Sequence, residues 1–257
     1  MDGAKAWRVT GTLAVVLVML AAGLQTWSLV VHQQTTSTKP YDVVIHQLRL
    51  ETGSAAVRVH AGREGHVVVT QRLDWTVRKP VVSSTVVGDV LTVGMRCRQV
   101  LPFSDFGCGA EIELEVPAAT EVTGSVGSGA VSVEGLSGSV RMELTSGQLS
   151  LVDTSGEVWA RSTSGELLGT ALRAQRVTAA TGSGSVELHF AKAPHAVDAR
   201  ATSGSVTVSV PRNSRYAFSS EVGSGSGQID PALADATSPD TIHAEVTSGS
   251  LAVNPAP

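Results

Sequence analysis

Aromatic side chains are scarce in this chain. Phe, Tyr and Trp make up 4% of its 257 residues, so aliphatic side chains must fill the interior, and thin, regular β layers are expected. Cysteine occurs only as Cys97 and Cys108, a spacing that fits neither a CxxC redox pair nor a pair of zinc ligands. In an oxidising compartment the two are expected to form a disulfide, and closing so short a loop restrains the unfolded chain by about 3 kcal/mol. The alternative is a pair of buried free thiols. Charge is nearly balanced, with 19 Lys and Arg against 23 Asp and Glu. No basic cluster of the kind a phosphate backbone requires is present, which excludes nucleic acid as a partner.

Catalytic signatures are missing as well. There is no HExxH, no GxSxG and no P-loop, and the GSGSG text from Gly223 to Gly227 lacks the strand-to-helix context of a nucleotide-binding loop. The seven histidines stand singly. Asp153, Glu157 and Glu166 are the acidic set that successive turns of a repeat would bring near one another, but the Ser-Gly corners beside them suggest solvated rims. A polysaccharide-active enzyme is the least favoured reading. No catalytic activity, cofactor or metal is expected.

What the chain does have begins with an uncharged run from Val9 to Val31. As a helix it spans roughly 34 Å, enough to cross a bilayer core. Lys5 and Arg8 precede it, so the positive-inside rule places residues 1–8 in the cytoplasm as a short stub and the remaining chain outside the cell. The run is too long for the apolar core of a cleaved signal, which is about 7–15 residues. A single-pass anchor is therefore expected. Residues 32–40 are polar, rich in Thr and end in Pro, as in an extended linker.

Residues 41–120 read as an N-terminal β region. Strands are expected at Val43 to Ile45, Ala56 to Val59, His66 to Val69, Val86 to Val87, Val90 to Val93 and Glu111 to Val116, the last alternating charged and aliphatic residues with a period of two. No helical period follows the anchor. Between the last two strands lies a loop, Arg96 to Cys108, that gathers Arg96, Arg98, Phe103 and Phe106. Exposed Arg and aromatic residues make contact surfaces; the alternative is that both rings plug an open end of the β array.

From residue 121 to 253 one phrase recurs: Ser-Gly followed by alternating apolar residues. It places glycines at Gly129, Gly138, Gly147, Gly156, Gly165, Gly184, Gly204 and Gly249, first nine residues apart and then about twice that. The skipped half-steps hold strand-like text without Ser-Gly, at Arg176 to Ala179, Ala196 to Ala199, Tyr216 to Phe218 and Ile242 to Ala244. Fixed-period similarity of this kind indicates a parallel β-solenoid with two strands per coil, in which each unit buries its apolar side only by stacking on its neighbours. Gly suits the corners, and Val-x-Val sends branched side chains inward. No Asp recurs after the glycines, which argues against a calcium-binding roll. Thr145, Thr154, Thr163, Thr202 and Thr247 precede Ser-Gly and would form a hydroxyl ladder, either a glycan- or water-ordering array or simply exposed β positions.

The order of these parts resembles a bacterial adhesin-type family, a domain of unknown function common in actinobacterial and firmicute envelope proteins. The parts are an N-terminal apolar helix, a β region ending in a Cys pair, the IELEVP strand at Ile112 to Pro117 and serial SGxVxV phrases. The resemblance covers Tyr41 to Val253. It implies a β-solenoid-like extracellular domain, suggests adhesion and supplies no catalytic residues. The functional expectation is a membrane-anchored, non-catalytic surface protein that contacts cell-wall glycan or an envelope protein. An envelope sensor acting through a membrane partner is the alternative.

Overall fold

The computed structural model describes residues 33–75, 79–97 and 108–256, together with Met19. In chain order the first strands are β1 (Gln33–Tyr41), β2 (Gln47–Thr52), β3 (Ala56–Gly62), β4 (Val67–Trp75), β5 (Val81–Val87), β6 (Val90–Arg96), β7 (Cys108–Pro117), β8 (Glu121–Val126) and β9 (Ala130–Glu134). Longer strands follow: β10 (Val140–Val152), β11 (Val158–Leu172), β12 (Arg176–Phe190), β13 (Ala196–Val210), β14 (Ala217–Ile229) and β15 (Thr241–Pro255). Between β14 and β15 lies a short 3-10 helix, Pro231–Leu233. No helix among the described residues is long and apolar enough to cross a membrane. The segment 9–31, read above as an anchor, and the stub before it lie outside the described residues, Met19 excepted.

Each long strand is a coil in itself. In β11, Val158, Ala160 and Ser162 point inward; past Thr163-Ser164-Gly165 the buried positions become Leu167 and Gly169. Burial shifts from even to odd positions at the corner, as it must where an alternating strand bends and keeps the same interior. The halves before the corners form a leading wall and the halves after them a trailing wall, and together they enclose one continuous aliphatic core. Successive coils pair in parallel, so that Gly147 lies beside Gly165, Gly165 beside Gly184, Gly184 beside Gly204, and Gly204 beside Gly249.

The structure draws no line at residue 120. Strands β8 and β9 are the two halves of a coil beneath β10, β2 and β3 form the coil beneath that one, and β6 and β7 the next. Antiparallel strands close this end, with β5 on β6 and β4 on β7. The polar stretch expected as a linker is strand β1, paired antiparallel with β4 along its whole length from Gln33↔Trp75 to Tyr41↔Val67. Thr at positions 35, 36 and 38 suits an edge strand. Nor does the apolar run Val43 to Ile45 form a strand; the strand is Gln47–Thr52, where Leu48 and Leu50 are buried and Arg49 and Glu51 are exposed.

At the other end spatial order departs from chain order. Strand β15 pairs with β13 on one side and β14 on the other, so β14 is outermost. Tyr216, just before β14, is fully buried and meets Phe218 edge to face at 6.2 Å. Its hydroxyl has no hydrogen-bond partner. Burial raises its pKa, Asp240 adds to the rise, and nearby Ser214 offsets part of it. A raised acid pKa favours the neutral phenol in the fold, so this contribution to stability is intact below about pH 10 and lost as pH rises through the folded-state value. Tyr216→Phe removes both the unpartnered hydroxyl and that alkaline loss. Melting temperatures between about pH 8 and about pH 11 are expected to fall less in Tyr216→Phe than in the parent; parallel declines would refute the assignment.

Candidate interaction surface

The Ser-Gly phrases build corners. Gly129, Gly147, Gly165, Gly184, Gly204 and Gly249 stand in one column, where the backbones of successive coils approach so closely that a Cβ on Gly204 would lie 1.8 Å from the carbonyl oxygen of Gly184. Gly138 and Gly156 belong to a second column, at the turn that links one coil to the next; a Cβ on Gly156 would lie 2.0 Å from the oxygen of Gly138. This resolves the nine-residue spacing, because early coils carry the phrase at both corners and later coils at one.

Between β6 and β7 the sequence has no Ser-Gly phrase and runs instead from Cys97 to Cys108. Cys97 is disulfide-bonded, and the chain has no other cysteine than Cys108, the first residue of β7. Arg96 ends β6 and is exposed, whereas Arg98, Phe103 and Phe106 lie outside the described residues. Beside Cys97, a groove of about 280 Å³ is lined by Met95, Gly53, Ser54, Gly127 and Ser128.

The acidic residues do not converge. Asp153 accepts from Arg173 Nε at 2.8 Å, Glu157 faces Arg176 Nε at 3.4 Å, and Glu166 accepts from Gln148 Nε2 at 3.1 Å. His195 pairs with Asp240 at 2.7 Å and His66 with Asp42 at 3.0 Å, whereas His243 shares Glu245 with Arg200. Among the described residues no three His, Cys, Asp or Glu side chains are placed to hold a metal ion. The threonine ladder is partial. Thr145, Thr163, Thr202 and Thr247 are exposed before the corner glycines, but Gly182 and Gly223 hold the same place in their coils. Thr154 is a correction: it lies at the second corner and is fully buried.

Sequence reasoning missed a group on the leading wall. The register sets Arg49, Thr123, Arg141, Trp159, Thr178, Asp198 and His243 in one outward row across successive coils. Arg141 lies over the Trp159 ring at 4.6 Å from its centroid and Arg161 at 5.6 Å, both within cation–π range. The signal was present in SGEVWA: with Val158 and Ala160 inward, Trp159 has to face out.

With the stack and its corners defined, the kinship is plain. A family profile, Toastrack DUF4097, matches residues 40–254. The chain belongs to this family. Among solved structures, the Toastrack fold here is similar to a candidate cell-adhesion protein from Clostridium sporogenes, at 14% identity and a TM-score of 0.43, covering 87% of this chain and 100% of that one. It is similar also to a candidate adhesin from Bacteroides fragilis, at 14% identity and a TM-score of 0.45, covering 86% and 97%. A third is a candidate lipid-binding protein from Parabacteroides distasonis, at 13% identity and a TM-score of 0.41, covering 87% and 97%. No curated protein matches the chain.

Proposed function

We propose that this Toastrack protein is a non-catalytic module of the cell surface. The helix expected at residues 9–31 holds it on the membrane, its solenoid lies outside, and its outward walls bind cell-wall glycan or an envelope protein. One observation carries the reading. The residues that define the repeat go into corners and core, while the walls carry exposed ion pairs, some isolated, as Asp153 with Arg173, and some joined across strands, as Asp198, Arg200, Glu245 and His243. Such a surface offers many shallow contacts among exposed side chains, which suits recognition. The disulfide at Cys97 is consistent with an oxidising compartment.

The test is retention of the full-length protein, purified oxidised, on isolated cell walls and on reconstituted envelope proteins. Saturable retention on either is the expected result. Absence of retention on both, with the protein folded, would leave a spacer and end the proposal.

A further inference from the structure

We infer that the hollow around Trp159 on the leading wall binds an anionic glycan through carboxylate or phosphate groups on its sugar units. The inference rests on reading the walls as binding surfaces and names the ligand of one of them.

The cations here are held without being neutralised. Arg58, Arg72, Arg173, Arg176 and Arg200 each have a carboxylate within ion-pair distance. Among the described residues Arg141 and Arg161 have none; their fixed neighbour is the indole of Trp159 between them. A guanidinium stacked on a ring keeps its N–H edge free, and that planar fork matches the two oxygens of a carboxylate or phosphate. Strand pairing fixes this arrangement, since Arg141 and Trp159 are direct cross-strand partners and Arg161 is two residues along the same face of β11. The ligand groups would thus meet donors already in place, at little cost in side-chain ordering.

The surroundings suit a sugar. A hollow of about 290 Å³ is lined by Ser139, Arg141, Glu157, Trp159, Arg176 and Thr178: two hydroxyls, a carboxylate and two arginines beside an aromatic ring. The acids that face the group are Glu143, opposite Arg161 in register, and Glu157, already paired with Arg176. Three arginines therefore stand against two glutamates on a chain whose net charge is −4. Arg49 continues the row two strands away from Arg141, on the order of 10 Å at ordinary strand spacing. One small anion cannot span that interval, whereas a charged polymer can. A lipid surface is the poorer fit, because among the described residues the large apolar side chains exposed on the solenoid are Val44, Val81 and Val87, near the antiparallel end and several strands from Trp159.

Calorimetry of the full-length protein with polyuronate, phosphorylated dextran, neutral dextran and polyglutamate tests the inference. Binding is expected to at least one of the first two, at least about tenfold tighter than to dextran or polyglutamate. Arg141→Gln and Arg161→Gln are each expected to weaken it about tenfold, in line with loss of a charged hydrogen bond, and Trp159→Ala to weaken it by release of both arginines. Arg72→Gln, on β4 at the antiparallel end and paired with Glu111, is expected to leave it within about twofold, as a surface substitution away from the site. Preference for polyuronate assigns carboxylate groups, and preference for the phosphate polymer assigns phosphate. Equal binding to polyglutamate, or binding indifferent to all three substitutions in folded protein, would overturn the site. Cell-wall retention that survives these substitutions would overturn it too while leaving the adhesive reading intact; loss of wall retention in the parent would remove that reading itself.

Discussion

Gly204→Val is expected to collapse the array, with a loss above about 4 kcal/mol and a fall in melting temperature on the order of 10 °C or more. The added Cβ would sit 1.8 Å from the Gly184 carbonyl oxygen, and the backbone there has φ +138, a conformation a branched residue does not adopt. Neither neighbour can yield, because the obstructing atoms are main chain and that main chain is itself locked to the coil beyond. Gly147→Val meets the same obstacle, a Cβ 2.2 Å from the Gly129 oxygen at φ +120. Ser150→Ala, on a half-exposed outward position of β10, is expected to change stability by less than about 0.5 kcal/mol. Thermal unfolding followed by circular dichroism compares the three. Equal midpoints for Gly147→Val and Ser150→Ala would refute the role of the glycine column.

The second large effect separates whole coils from single residues. Deleting residues 158–176 removes β11 and brings Val177 where Val158 stood, so that Val177 faces Val140 and Gly184 faces Gly147, each taking the place of its former intermediary. The shortened chain is expected to fold, with a lower melting temperature, because every coil contacts only its neighbours. Deleting Glu143 alone should do more harm. That residue separates the buried Met142 and Leu144; without it, either Leu144 turns to solvent or Gly147 leaves its column. Soluble yield and unfolding midpoints decide the matter, and a Glu143 deletion that proves the milder of the two would contradict the register.

Much of this architecture was legible in the sequence. Ser-Gly spacing located the corners, and alternation on both sides of them gave two strands per coil. Order within the stack was not legible: each coil presents the same inward pattern, so nothing local states that β6 and β7 lie beyond β2 and β3, or that β15 lies between β13 and β14. Strand β1 escaped because its residues are polar on both sides, and only the free edge of β4 makes it a strand. Trp159 and its arginines went unnoticed for a related reason. Single outward residues interrupt no repeat, and their neighbours come from other coils.

The placement of β15 inside β14 bears on how the protein is made. Strand β14 pairs with β15 alone, yet it is synthesised first. A nascent chain that has produced β14 has no seat for it until Thr241–Pro255 emerges and slides against the waiting edge of β13. Strand β15 thus acts as a keystone, and a product cut short before it would present both β13 and β14 as bare edges, open to pairing with other chains.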